Sequence, residues 1–125
     1  MKYALDSSAI IDYLKNETAI IEFLETLQDS NIVVPLIAKA EVKYVNREIG
    51  SFEKLETVNL DDQDLQEAMS MLTYLEEKGE RINMADILIA ANAIKENSVL
   101  ITGDKDFEKL EDYEGFRYKT VIPNQ

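Results

Sequence analysis

NMADILIAANAIKENSVLITGDKDFEKL, residues 83–110, decides the fold. Its first half, residues 83–96, is apolar on nearly every side. That is too greasy for a surface helix and reads as a helix buried within a layered domain. Ser98–Thr102 (SVLIT) reads as a buried strand, Gly103 as a turn and residues 104–110 as a short helix. A buried helix that runs straight into a buried strand is a piece of an α/β domain.

The same alternation continues outward. Residues 2–6 (KYALD) form a first strand, and Ser7 or Ser8 is placed to cap the helix AIIDYLKN, residues 9–16. A second helix, AIIEFLETLQ (residues 19–28), has Thr18 as its candidate cap and Ile20, Phe23, Leu24 and Leu27 as its apolar stripe. Residues 32–35 (IVVP) are a short β-branched strand, and residues 36–49 a helix ending at Gly50. Residues 54–58 are a short strand or an irregular segment. Residues 61–78 are amphipathic, with Leu65, Ala68, Met69, Leu72 and Leu75 on one face, and stop at Gly79. Residues 118–122 close the chain as a last strand. Strands alternating with helices predict an α/β fold with a mostly parallel sheet.

At 125 residues the chain is the size of one domain, residues 1–125, and 46% hydrophobic residues supply a core. No apolar run approaches roughly 18 residues, so no membrane span is expected. Asp6 and Asp12 interrupt the apolar stretch at the N-terminus, which is unlike a signal peptide, and the expected location is the cytoplasm. Cysteine and histidine are both absent. This removes Ser-His-Asp and Cys-His nucleophile schemes, disulfides and most zinc sites. Chemistry must run on carboxylates, Lys, Tyr, hydroxyls, backbone groups or a hard cation. The net charge is −12, which favours basic partners or cations and repels nucleic acid at long range.

Most of the 25 acids read as solvated surface. Four positions, the last an Asp pair, stand where apolar neighbours place the interior. Asp6 ends the first strand, and ligands of open α/β sheets bind beyond the strands' carboxyl ends; a turn-forming Asp is the plainer reading. Glu41 falls among Ile37, Tyr44 and Val45 on the apolar side of its helix, where a lone carboxylate is costly unless paired or bound to a cation. Asp86 opens the greasiest helix, with small Ala90 and Ala93 beyond it; with Asn83 as N-cap it would equally serve as the N3 acid of a capping box. Asp104 and Asp106 follow the strand SVLIT, where an Asp also caps a helix. Together the four positions say more. Clustered carboxylates repel, and a cation between them relieves the repulsion. Oxygen ligands alone suit Mg²⁺ or Mn²⁺, and such sites perform metal-assisted phosphodiester hydrolysis. Lys39, Lys43 and Arg47 form a basic stripe at i, i+4, i+8, which is either a solvated face or a substrate track.

KYALDSSAIIDYL, PLIAKAEVKY, NMADILIAANAI and VLITGDKDFEKL, in that order and at this spacing, resemble the four acidic motifs of the PIN domain family, and more narrowly of VapC-type ribonuclease toxins. The resemblance covers nearly the whole chain. It implies a single-domain, three-layer PIN-like α/β fold with a parallel sheet of about five strands in order 3-2-1-4-5. It implies that Asp6, Glu41, Asp86 and Asp104 form a catalytic quartet holding Mg²⁺ or Mn²⁺, with Asp106 a further ligand. Which of Asp104 and Asp106 lies closer to the ion stays open. Ser7 and Thr102 match supporting hydroxyl positions. The implied reaction is endonucleolytic cleavage of RNA, with Lys39, Lys43, Arg47 and Lys105 as candidate RNA contacts. The implied partners are a second copy, as a homodimer, and an antitoxin protein whose inserted segment often carries a basic side chain. The same fold could instead serve a standalone RNase in RNA processing or decay. A phospho-receiver-like Mg²⁺-binding signalling module fits worse, because Ser7 and Ser8 follow Asp6 and the strand IVVP ends in Pro35 without an Asp.

Overall fold

Alternation of short β-branched strands with apolar helices produces a doubly wound sheet, seen in a computed structural model that describes residues 1–27 and 30–123. Strands β1 (Lys2–Leu5), β2 (Asn31–Pro35), β3 (Glu56–Val58), β4 (Ser98–Thr102) and β5 (Tyr118–Thr120) form one sheet in the order β3-β2-β1-β4-β5. All four pairings are parallel, with Tyr3 beside both Ile32 and Val99. The central strands are buried where they matter for the site: Ala4, Leu5, Val33, Val34, Leu100 and Ile101 are almost fully enclosed. Residues buried on both faces explain why these strands read as continuous apolar runs.

Helices α1 (Ser7–Leu14), α2 (Thr18–Glu25), α3 (Leu36–Val45), α4 (Asp62–Glu77) and α5 (Met84–Lys95) cover the sheet. α5 is the expected buried helix, with Ile87, Ile89, Ala90, Ala91 and Ala93 enclosed. Its small residues let α4 lie close alongside. Between the two helices Asp64 is fully buried, yet it accepts from Lys95 Nζ at 2.8 Å, Asn92 Nδ2 at 3.2 Å and the backbone N–H of Asp61 at 2.7 Å. A buried acid held by a cation and two further donors is a structural group with its charge answered.

The structure corrects several sequence expectations. Asp6, rather than Ser7 or Ser8, caps α1: its carboxylate accepts from the Ala9 backbone N–H at 2.9 Å. Glu17 stands at the cap of α2 without a side-chain bond, and Thr18 is already helical. The expected end of α2 at Gln28 lies outside the described residues. α3 stops at Val45 instead of Ile49, because Asn46 turns extended and the chain doubles back to bury Ile49. Arg47 is therefore off the helix. Lys54 belongs to a 3-10 helix, Gly50–Lys54, and only Glu56–Val58 pairs as strand. On α4, Leu65 and Met69 are largely exposed; the buried face is Asp64, Ala68, Met71 and Leu75, one step around the helix. The segment after β4 is a 3-10 helix, Lys105–Leu110, and β5 ends at Thr120. Among the described residues no helix is long and apolar enough to cross a membrane.

Candidate metal centre

In a parallel sheet all strand ends of one sense share an edge. Asp6 leaves β1 there, Gly103 and Asp104 leave β4, α3 starts directly after Pro35 of β2, and α5 begins there before turning back into β4. Topology therefore gathers Asp6, Glu41, Asp86, Asp104 and Asp106 at one edge, although they come from four separate stretches of the chain.

Asp6 is the inner member, 2% exposed. Its Oδ1 accepts from Ser8 Oγ at 2.8 Å and Ala9 N at 2.9 Å, and its Oδ2 accepts from Thr102 Oγ1. Burial nevertheless pushes its carboxyl up to about 6, the bonds from Thr102, Ala9 and Ser8 opposing and the Asp86 charge assisting. Thr102 in turn accepts the Asp104 backbone N–H at 2.9 Å, and Ser8 Oγ accepts the Gly103 N–H at 2.8 Å. Hydroxyl and backbone links thus tie the end of β1 to the turn after β4.

Asp86 lies in the first turn of α5 and is 7% exposed. The capping expectation holds in part: Asn83 Oδ1 accepts the Asp86 N–H at 2.9 Å. The return bond comes from the Asn83 side chain, Nδ2 to Asp86 Oδ2 at 2.7 Å, rather than from the cap backbone N–H to Asp86. Burial first, then the charges of Asp104 and Glu41, push the Asp86 carboxyl up to about 6; Asp106 adds in the same sense. Asp86 is the electrostatic meeting point of the group. Glu41 is half-buried and accepts from Ser7 Oγ at 3.1 Å. Asp104 caps the 3-10 helix by accepting the Asp106 N–H at 2.8 Å. Among the described residues no basic side chain is paired with Asp6, Glu41, Asp86 or Asp104; Asp106 alone meets one, Lys109 at 3.4 Å. This is the opposite of the answered charge at Asp64.

The donor set fits a hard divalent cation. It offers carboxylate oxygens only, its charge is met by no basic side chain among the described residues except Lys109 at Asp106, and each acid is oriented by its own donor. As the side chains stand, no three acids among the described residues are close enough to share one ion. The acids stand as an open group at the carboxyl ends of the strands.

Of the other expected positions, Thr102 and Ser7 both bond to site acids, to Asp6 and Glu41 respectively. Two further groups, Ser8 and the Asn83 amide, serve the site in ways the motifs alone do not assign. For Ser8 a signal exists, since it stands two residues beyond Asp6, where a hydroxyl folds back on an acid. The basic stripe does not face the acids. Lys39 and Lys43 lie two positions either side of Glu41, most of the way around α3, and both reach Glu53, at 3.5 and 2.9 Å. Lys39 also donates to Thr57 of β3 at 3.2 Å. They tether the sheet edge, and Arg47, off the helix, does not continue their row. Lys105 is exposed between Asp104 and Asp106.

Comparison with known proteins follows the same lines. The PIN domain family model matches residues 3–113. No curated protein sequence matches the chain. Solved structures do. The chain is similar to VapBC-1 from nontypeable Haemophilus influenzae, at 25% identity over 96% of this chain and 98% of that one, with a TM-score of 0.76. It is similar to VapBC2 from Rickettsia felis, solved bound to a DNA fragment from its promoter, at 24% identity over 96% and 98% of the two chains and a TM-score of 0.77. It shares the fold of FitAcB from Neisseria gonorrhoeae, at 18% identity over 98% and 96% and a TM-score of 0.76. With a parallel sheet in order 3-2-1-4-5 and a family match across residues 3–113, the chain belongs to the PIN domain family.

Proposed function

We propose that this PIN domain is a divalent-metal-dependent endoribonuclease and the toxin half of a toxin–antitoxin pair. One observation carries the reading: Asp6, Glu41, Asp86, Asp104 and Asp106 gather at the carboxyl end of the sheet, and among the described residues Asp106 alone has a cationic partner. Asp6, Glu41, Asp86 and Asp104 would hold Mg²⁺ or Mn²⁺, with Asp106 at the periphery. A bound ion of this kind supplies Lewis acidity, acidifying water and offsetting charge on a phosphodiester.

The chain's own groups set up that chemistry. Ser8, Thr102 and the Ala9 N–H fix the Asp6 carboxylate in one orientation. Asn83 fixes Asp86, and Ser7 fixes Glu41. The N-termini of α1, α3 and α5, all at this end of the sheet, offset part of the negative charge. Lys105, exposed between Asp104 and Asp106, would meet a phosphate of the RNA.

The toxin assignment rests on likeness to the VapBC structures, whose names pair two components. An antitoxin with a basic segment suits a chain of net charge −12. A homodimer in the cytoplasm is part of the same reading. The test is RNA cleavage with and without Mn²⁺ by the wild type and Asp6→Asn side by side. Metal-dependent cutting by wild type alone supports the proposal. Equal cutting by both proteins rejects the site.

A further inference from the structure

Two lysines outside the acidic group cross between the elements that carry its two walls. One wall is the loop of residues 79–83, which delivers Asn83 and through it Asp86. The other is the 3-10 helix Lys105–Leu110, whose cap is Asp104 and whose first turn holds Asp106. Lys109 Nζ, on the second wall, donates to the backbone carbonyl of Arg81 on the first at 2.9 Å, and lies 3.4 Å from Asp106 Oδ1. Lys78 Nζ, at the end of α4 where the first wall begins, donates back to the Lys109 carbonyl at 3.3 Å. Each lysine ends on the other segment's backbone, so the two segments are held in register by side chains.

We infer that Lys109 is a positioning residue: its bridge between Asp106 and the Arg81 carbonyl sets the spacing of Asp86 and Asp104, and with it the affinity of the acidic group for a divalent cation. The inference rests on the metal-centre reading above. Its physical basis is a choice of sign. As a bare charge, Lys109 opposes a cation, because it partly neutralises Asp106 and adds repulsion close to the acids. As a tie, it favours a cation, because it fixes the backbone of the two segments, so that only the acid side chains have to turn in when the ion arrives. An exposed ion pair alone contributes little. The Lys109 ammonium does more than that: it grips a main-chain carbonyl of the opposite wall, two residues ahead of Asn83, in the same reach that meets Asp106. The geometry favours the tie.

The experiment compares Mn²⁺ binding, by electron paramagnetic resonance of free Mn²⁺, in wild type, Lys109→Met, Lys109→Arg and the control Lys2→Met. The control breaks the Lys2–Glu96 pair, at 3.0 Å, on the opposite edge of the sheet. Lys109→Met should weaken Mn²⁺ binding roughly tenfold, as loss of partners that orient metal ligands does. Lys109→Arg should stay near wild type, and Lys2→Met should not weaken binding. Unchanged or tighter binding by Lys109→Met overturns the inference. Amide hydrogen exchange on the metal-free proteins separates its failure from that of the metal reading. If wild type takes up no Mn²⁺, the metal reading and the affinity claim both fall. Faster exchange in residues 79–83 and 104–107 of Lys109→Met would then still establish the tie, and unchanged exchange would dismiss it.

Discussion

Thr102 Oγ1 donates to Asp6 Oδ2, joining two residues 96 positions apart. The contact follows from β1 and β4 being sheet neighbours in register, with Leu5 beside Ile101. One hydroxyl thereby serves both chain segments, since it also accepts the Asp104 N–H at 2.9 Å. Thr102→Val keeps the shape and removes both bonds. It leaves a buried carboxylate short of a donor and an N–H short of an acceptor, each costing about 1–3 kcal/mol. Urea melts should show a clear loss for Thr102→Val and a small one for Thr102→Ser. Equal stability of wild type and Thr102→Val would show that the bond does not matter.

The buried acids give the metal-free protein a particular pH dependence. Burial pushes Asp6 up to about 6, and burial with the Asp104 and Glu41 charges pushes Asp86 up to about 6, from 3.8 for each. An acid whose pKa is raised on folding holds its proton in the native state after the unfolded chain has released it. Its stabilising contribution is complete below about pH 4 and is lost as pH rises through about 6. For Asp6 that amounts to about 3 kcal/mol at most. Asp6→Asn cannot titrate there. In chelator, its melting temperature relative to wild type should climb between about pH 4 and pH 7. A constant difference across that window would show that Asp6 ionises normally.

Asparagine and alanine at position 6 should behave differently. Asn retains an oxygen for the Ala9 N–H, so α1 stays capped, and it removes the charge. Ala loses the cap as well, at about 1 kcal/mol. Without metal, Asp6→Asn should melt above wild type at neutral pH, and Asp6→Ala below Asp6→Asn. Millimolar Mn²⁺ should raise the wild-type melting temperature by mass action and leave Asp6→Asn and Asp86→Asn unmoved. A full Mn²⁺ shift in both Asn variants would place any ion elsewhere.

Unbroken apolarity makes the buried helix 83–96 and the strand SVLIT legible in the sequence, and the acids at strand ends stand out against it. Helix ends are less legible. α3 stops at Val45 because the chain turns to bury Ile49, a tertiary demand that local periodicity does not display. Periodicity places Glu41 on an apolar face of its helix, and its neighbours there are indeed apolar. Their surroundings are another matter: Tyr44 is 92% and Val45 68% exposed. Asp64 shows the converse. It is wholly buried yet sits in a polar stretch, DDQDLQE; locally it accepts from the Asp61 N–H, and Lys95 and Asn92 of another helix complete its partners. Ser8 has the local position of a helix cap, but its partners, Asp6, Gly103 and Thr102, are distributed over two strands' ends.

The lysine row gives the last prediction, and it turns on which way side chains face. Lys39 and Lys43 end on Glu53, away from Glu41, and the Glu53 carboxyl is held low by the bond from Lys43, with Lys39 assisting. Counterion release on binding RNA requires cations that face the phosphates. Lys105 stands exposed between Asp104 and Asp106. Lys105→Ala should therefore weaken RNA binding and reduce the slope of log affinity against log salt by about 1. Lys39→Ala with Lys43→Ala should leave that slope unchanged and lower stability slightly, by freeing Glu53 and loosening the β3 edge. Binding should be measured in Ca²⁺, or on an Asp86→Asn background, so that cleavage does not consume the RNA. A slope that falls by about 2 in the double variant, with Lys105→Ala unaffected, would put the RNA track back on α3 and across the sheet edge.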